Sequence, residues 1–384
     1  MEQMVVAPEC YLNHAGCSFV TQRTFDAVVA QMERERRLGM PRADHASAAE
    51  KQRLYELAAV VVGAQAADMA MTDGHTSGWT KALQTIRLSE GDVLLTTRSE
   101  WGGNLKFLRH WAHRYGATVD LLASTPDGAV CLDSLRKRMS DKVKLISVSW
   151  LGSNGGHLEP AAAIGEIARS YGAPYFLDAS QVLGQMPVDV QSLHCDVLTA
   201  PGRKWLRGPK GTGLMYVRPE FLADVQAQGA FDSLLDNTSA VTAKHFEGSA
   251  ASASLQMGLK AALEQLQEVG IETVQQGIVA NSRRLWEGLQ DLPGIECLSK
   301  VPPLHGIVSF SQEGTTAADV KSHLMREGVE VVVNQAAYTP LDMQARQFDA
   351  VVRASPHSCS TSDEVENLIR VMSLMVKASG RSLA

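Results

Sequence analysis

Val143-Lys144-Leu145-Ile146-Ser147-Val148-Ser149, then a helically spaced stretch over residues 160–171, then Pro174-Tyr175-Phe176-Leu177, sets the architecture. Strand, helix and strand in that order form a βαβ unit, which lays its two strands parallel in a sheet covered by helices. The alternation continues in both directions. Upstream, Val93-Leu94-Leu95-Thr96-Thr97 reads as a strand, residues 105–115 as a helix and Thr118-Val119-Asp120-Leu121-Leu122 as a strand; downstream, Val197-Leu198-Thr199 and residues 213–217 add two more. Helical spacing over residues 21–38 and 48–62 places two helices ahead of this array.

From residue 255 the pattern changes. Residues 255–269 and about 270–289 read as two long helices able to link two lobes. After them come a strand at 306–310, a helix at 316–326, an apolar run at 329–333, a strand at 350–354 and a closing helix at 362–376. The expected organisation is a segment 1–20 that joins the small domain, a large domain over 21–265 and a small α+β domain over 266–384. A chain of 384 residues suits a large domain with a smaller companion.

Composition narrows the function. A net charge of −6 gives no basic field to hold DNA or RNA. No run of about 18 apolar residues suits a membrane span, and Met1-Glu2-Gln3-Met4 lacks the basic start of a signal peptide, so a cytoplasmic protein with no membrane partner is expected. The six cysteines are scattered without a CxxC pair, which suits reduced thiols and no metal.

Two stretches carry chemistry. Phe176-Leu177-Asp178-Ala179-Ser180-Gln181 puts an acid at the end of an apolar strand, where ligands of open α/β sheets bind; an Asp there also suits a helix N-cap. The stretch Gly202-Arg203-Lys204-Trp205-Leu206-Arg207-Gly208-Pro209-Lys210-Gly211-Thr212-Gly213 is a glycine-dense loop with two lysines. A lysine crowded by an aromatic and other cations is pushed toward its neutral, nucleophilic form. On chemistry alone Lys204 and Lys210 compete. An acid, a lysine, an anion-binding turn and a flat side chain are what pyridoxal 5'-phosphate (PLP) requires of a protein.

In order and spacing, Asp178, Gln181 and the Lys204 loop resemble the class V aminotransferases, a family of fold-type I PLP enzymes that includes cysteine desulfurases, isopenicillin N epimerase and the ergothioneine-pathway sulfoxide lyase. The resemblance covers nearly the whole chain. It implies a large domain with a mostly parallel seven-stranded sheet flanked by helices, a small α+β C-terminal domain, and Lys204 as the residue joined to PLP as a Schiff base. It assigns Asp178 to the pyridine nitrogen, Gln181 to the ring hydroxyl and Arg203 to the phosphate. Thr72-Asp73-Gly74-His75-Thr76-Ser77-Gly78 resembles the family's phosphate cup, with Thr76 first, His75 second and Ser77 beside them.

The same resemblance marks Trp101, after Glu100, as the ring-stacking residue and Asn154 in Gly152-Ser153-Asn154-Gly155-Gly156 as a ring contact. Tyr11-Leu12-Asn13-His14 matches the opening that lines the substrate pocket, and Val352-Arg353-Ala354-Ser355-Pro356-His357 the element whose arginine binds a substrate carboxylate. Phe246-Glu247-Gly248-Ser249 matches an element that reaches the neighbouring subunit's phosphate. Ser249 is thus a cofactor contact, and a homodimer with active sites at the subunit interface follows.

Three positions depart from the desulfurase pattern. Pro201 stands three before Lys204, where a hydroxyl often serves the phosphate; Thr199 or Ser180 is expected to compensate. Residues 334–352 contain no cysteine, whereas a desulfurase carries its nucleophilic cysteine shortly before the carboxylate-binding arginine; Cys359 comes after it. His75 and Trp101 replace commoner side chains. The Lys204 loop, residues 100–104 and Leu341-Asp342-Met343-Gln344-Ala345-Arg346 are most similar to the sulfoxide lyases. The reaction so implied is β-elimination from a cysteine-derived or other β-substituted amino acid, giving pyruvate and ammonia. Transamination and epimerisation use the same residues.

Overall fold

In the computed structural model, residues 9–226, 242–248 and 250–380 are described. In chain order the elements begin with β1 (Cys10–Tyr11), α1 (Gln22–Leu38), α2 (Met40–Ala46), α3 (Ala48–Val62), β2 (Met69–Thr72), α4 (His75–Gln84), β3 (Val93–Thr96), α5 (Gly102–Arg114) and β4 (Thr118–Leu121). Then come α6 (Leu132–Arg138), β5 (Val143–Ser149), α7 (Ala161–Ser170), β6 (Tyr175–Asp178), α8 (Val190–Leu193), β7 (Val197–Pro201), β8 (Gly213–Val217), α9 (Pro219–Gln226) and α10 (Ala253–Val269). The chain continues through α11 (Ile271–Gln290), β9 (Ile295–Cys297), β10 (Val308–Gln312), α12 (Ala317–Arg326), β11 (Val329–Glu330), β12 (Val332–Gln335), α13 (Pro340–Arg346), β13 (Ala350–Ala354) and α14 (Ser362–Gly380).

Two compact units result. The larger holds residues 17–152 and 157–271; the smaller holds 1–16, 153–156 and 272–384. Its four-residue excursion at 153–156 falls inside a stretch that the sequence places wholly in the large domain.

In the larger unit the described residues form a seven-stranded sheet of order β2-β8-β7-β6-β5-β3-β4. Strands β4, β3, β5, β6 and β7 are mutually parallel. Strand β8 is antiparallel to both β7 and β2, so β2 runs with the parallel set. Every strand but β8 therefore ends on one edge of the sheet. That edge collects Thr72, Thr96, Ser149, Asp178 and Pro201, the last residues of five strands, and whatever follows them in the chain. Helices cover apolar strands: Trp79 and Leu83 of α4, Leu108 of α5, Phe221 and Phe246 share one buried cluster with Leu94, Leu145, Phe176, Val197 and Met215. Burial of each such side chain contributes about 1.5–3 kcal/mol.

The smaller unit has a four-stranded antiparallel sheet of order β12-β13-β10-β9 and a parallel pair, β1 with β11. Its core joins Leu12, Leu285, Leu289, Phe310, Leu324, Val352, Leu368 and Met372. The apolar run 329–333 is two strands rather than one: Val329 pairs with Cys10, whereas Val332 and Val333 pair with Arg353 and Val352. Buried Val331 is the joint at which the chain leaves one ladder for the other.

Candidate active site

The carboxyl edge of the large sheet gathers the side chains that the sequence singles out in that unit. Asp178 closes β6 and is buried, with Oδ1 accepting from the Ser180 amide at 2.8 Å. On its other oxygen, Oδ2, converge His75 Nε2 at 3.3 Å, Asn104 Nδ2 at 3.3 Å and Ser149 Oγ at 3.4 Å. Asp178 is not the side-chain cap of a described helix; its second oxygen lies in this cluster.

His75 is the first residue of α4 and is buried. Its Nδ1 lies 2.8 Å from Thr199 Oγ1 and its Nε2 2.9 Å from Asn104 Oδ1. The hydroxyl expected to make up for Pro201 is thus engaged by His75, and buried Ser180 lies beside Asp178. Gly74, before the helix, gives no side-chain cap, so the first amides of α4 are open to an anion, which the helix dipole favours. Thr76 is exposed there; Ser77 Oγ donates to Gly74 O at 3.2 Å.

Trp101 is half-buried and meets the His75 ring edge-on, centroids 5.8 Å apart at 80°. Its place is fixed by Gly103, where an added Cβ would lie 2.1 Å from the indole. Glu100, before it, is fully buried. Oε1 accepts from Ser149 Oγ at 2.7 Å, Asn104 Nδ2 at 3.0 Å and Trp101 N at 3.0 Å, and Oε2 from Ser147 Oγ at 2.8 Å and Thr96 Oγ1 at 3.0 Å. Burial holds its carboxyl above the usual range and the nearby Asp178 charge adds to that, against the bonds from Ser149, Asn104 and Ser147. Glu100, Asn104 and Ser149 escape the sequence reading, which uses Glu100 only as a marker before Trp101. The density of hydroxyls in Thr96-Thr97-Arg98-Ser99-Glu100 is the signal that a buried carboxylate needs donors.

The lysine loop follows β7. Lys204 is half-buried and Lys210 exposed, a difference the sequence leaves open. Trp205 is buried and its Nε1 donates to Gln181 Oε1 at 3.0 Å, which ties the loop to the segment after β6. The half-buried Arg203 offers its carbonyl to the Ser18 amide at 2.8 Å. Gly184, at φ +95°, lets the loop approach: a Cβ there would sit 2.7 Å from Leu206 N, and its backbone conformation is one that L side chains rarely adopt.

In the smaller unit, Arg353 on β13 is buried, with Nη1 donating to Ser153 O at 2.8 Å and Nη2 to Asn13 Oδ1 at 3.5 Å. No carboxylate among the described residues pairs with it, its Nε has no hydrogen-bond partner, and burial lowers its pKa to about 10. A buried cation without a counter-charge fits an anionic ligand. Asn154 belongs to this unit: Nδ2 donates to Thr339 Oγ1 at 2.6 Å and Oδ1 accepts from Asn334 Nδ2 at 2.6 Å. His14 is buried between Tyr11 and His357, ring centroids 5.2 and 5.1 Å away. Ser249 lies outside the described residues. Its neighbours turn inward, Phe246 into the core and Glu247 onto the Met71 amide at 2.8 Å. Among the described residues no cluster of three His, Cys, Asp or Glu could hold a metal ion, and no helix is long and apolar enough to cross a membrane.

A buried acid at a strand end, an uncapped helix start, a half-buried lysine and a flat ring on one sheet edge fit PLP. Residues 10–368 match the family described as aminotransferase class-V. A probable cysteine desulfurase of Xylella fastidiosa (strain 9a5c) is 30% identical over 320 residues, 79% of this chain and 76% of that one. The apo structure of a cysteine desulfurase from Thermococcus onnurineus NA1 superposes with a TM-score of 0.85 at 22% identity, covering 96% and 95% of the two chains. A complex of the cystine C-S lyase C-DES with its product cysteine persulfide gives 0.83 at 24% identity over 94% and 96%. The fold and site are those of a fold-type I, PLP-dependent enzyme. The chain belongs to the class V aminotransferase family. The relatives named here are desulfurases and a cystine lyase; neither a sulfoxide lyase nor an epimerase is among them.

Proposed function

We propose that the protein is a C–S lyase that cleaves a cysteine-derived or other β-substituted amino acid to pyruvate and ammonia, the β-substituent leaving as a thiol where it is thioether sulfur. One observation carries the reading: residues 334–352, which run from β12 to β13 and end beside Arg353, contain no cysteine. Of the other thiols, Cys17 and Cys131 are half-buried and come far earlier in the chain than Arg353. Burial pushes Cys10 up to about 12 and Cys297 up to about 11, holds Cys195 higher still, and Cys359 follows Arg353 in the turn after β13. A sulfur atom then leaves as the thiol itself instead of passing to the protein.

When bound, PLP supplies an electron sink conjugated with the substrate Cα. Arg353 pairs with the α-carboxylate, and Asp178 keeps a proton on the pyridine nitrogen. The first amides of α4 at His75, Thr76 and Ser77, together with Arg203, bind the phosphate; Trp101 covers the ring and Gln181 meets its hydroxyl. The Lys204 amine takes the proton from Cα as general base and returns it to the leaving sulfur. The Cα–H and Cβ–S bonds break, one water is consumed, and thiol, pyruvate and ammonia account for every atom.

The exposed stripe of Phe25, Val29 and Met32 on α1, at helical spacing, supports a homodimer. Six cysteines outside any disulfide support a cytoplasmic setting. Cysteine desulfurase is the second reading, favoured by the names of the relatives. Incubation with S-substituted cysteines, cystine and cysteine decides between them: pyruvate with thiol release supports the lyase, alanine with a protein persulfide the desulfurase. Amino transfer to 2-oxo acids without pyruvate overturns both. Purified protein that stays colourless after PLP incubation, or a Lys204→Ala variant that keeps the band near roughly 420 nm, overturns the lysine assignment.

A further inference from the structure

Asp178 is loaded from behind by a buried chain of side chains that the reaction itself does not use. His75 Nε2 hydrogen-bonds to Asn104 Oδ1 at 2.9 Å and lies 3.3 Å from Asp178 Oδ2. Asn104 turns its amide nitrogen to Glu100 Oε1 at 3.0 Å and to the same Asp178 oxygen at 3.3 Å. Bonded to an amide oxygen, Nε2 must carry a hydrogen; Nδ1 then accepts from the Thr199 hydroxyl at 2.8 Å. Glu100, His75, Asn104 and Asp178 are each 6% exposed or less, so water does not compete for these bonds.

We propose that His75, held by Asn104 and Thr199, is a positioning residue that fixes the Asn104 amide on Asp178 and thereby keeps the proton that Asp178 shares on the cofactor's pyridine nitrogen. A carboxylate that accepts more hydrogen bonds is a weaker base. The proton between Asp178 and the ring nitrogen therefore stays on the ring, where it strengthens electron withdrawal. Among the described residues, His75 from α4 and Glu100 after β3 are titratable groups close to Asp178, and the carboxyl of Glu100 works in the opposite sense to His75 by adding negative charge nearby. The hydrogen bonds on Asp178 Oδ2 come from Asn104 Nδ2 and Ser149 Oγ, and the His75 N–H acts on them by fixing the Asn104 amide.

The inference rests on PLP pairing with Asp178 and is indifferent to whether sulfur, an amino group or a proton is moved. Its test is the pH titration of the visible absorbance of the PLP-loaded protein, in wild type, His75→Leu and His75→Gln. A ring nitrogen that loses its proton to Asp178 withdraws less charge, and the conjugated Lys204 nitrogen then holds its own proton more tightly. The midpoint should rise by about one pH unit in His75→Leu, a tenfold change in the equilibrium. It should return to the wild-type value in His75→Gln, whose amide restores a donor at the place of Nε2. An unshifted midpoint in His75→Leu, with full cofactor load, overturns the proposal.

Should His75→Leu fail to fold, ¹⁵N spectra of histidine-labelled wild type decide, with the His75 signal assigned by its loss in His75→Gln. A ring protonated at Nε2 supports the proposal and one protonated only at Nδ1 overturns it. A wild type without a visible band refutes the cofactor assignment instead, and so the two failures are distinct.

Discussion

The Tyr55 hydroxyl donates to the Glu247 carboxylate at 2.7 Å across 192 residues of chain, and the same Oε1 accepts from the Met71 amide at 2.8 Å. Lys244 lies over the Tyr55 ring, its Nζ 3.9 Å from the centroid, so helix α3, strand β2 and the 243–247 turn meet at one carboxylate. Burial holds Glu247 above the usual carboxylate range, against the bonds from Met71 and Tyr55 and the charges of Lys244 and Lys81. The folded state thus binds this proton more tightly than the unfolded chain does. Its contribution is full below the unfolded pKa of about 4.3 and is lost as pH rises through the higher folded value. Glu247→Gln, which keeps the acceptor at Oε1, is expected to show a shallower loss of stability over that rise, measured by urea unfolding at several pH values. Tyr55→Phe is expected to cost about 1–2 kcal/mol.

Gly184→Ala should push the Trp205–Leu206 backbone away, because its Cβ would lie 2.7 Å from Leu206 N. The expected outcome is a protein that folds but binds PLP less tightly, with a smaller visible band per mole at limiting cofactor and a lower Tm.

Arg353→Lys replaces a planar fork by a point charge where Nη1 and Nη2 already reach Ser153 and Asn13. Loss of a bidentate carboxylate pair corresponds to about 1.5–3 kcal/mol, so KM for the amino acid should rise roughly ten- to a hundredfold. Steady-state kinetics with an S-substituted cysteine read the change. The absorbance of the resting cofactor should stay as it is.

Cys359→Ser should leave pyruvate formation unchanged, since no step assigned here needs a thiol. Lost activity together with loss of a cyanide-releasable sulfur would favour the desulfurase reading.

Met32→Glu places a charge in the exposed apolar stripe of α1, where Met32 is 57% exposed. Light scattering should show a shift from dimer toward monomer at low micromolar concentration, with far-UV circular dichroism unchanged.

Where the pattern is periodic, the fold is legible. Helix α3 and strands β5, β8 and β13 occupy the spans that their spacing predicts, and the chain order of Asp178, Gln181 and Lys204 leads to the family. Helix α4 is harder to see in full, because His75-Thr76-Ser77-Gly78 at its start are weak helix formers, and the sequence marks the stretch as a phosphate cup without showing how far the helix runs. The 329–333 run looks like one strand because periodicity does not register a chain that changes ladders at Val331. The Glu100–Asn104–His75 chain is invisible for another reason: its members come from separate segments, and only the sheet edge brings them together. For Asn154, the glycines on either side suggest a turn and give no sign that residues 153–156 belong with the smaller unit.

That four-residue excursion has a consequence for biosynthesis. Arg353 finds its acceptors at Ser153, 200 residues earlier, and at Asn13, 340 residues earlier. On the ribosome, at about 5–20 residues per second, the segments that will receive the arginine are complete long before the strand that carries it emerges. The larger sheet can therefore assemble while the guanidinium is still being synthesised. Placing it is one of the last long-range closures, and a chain truncated before β13 would leave Ser153 and Asn13 without the guanidinium they accept from.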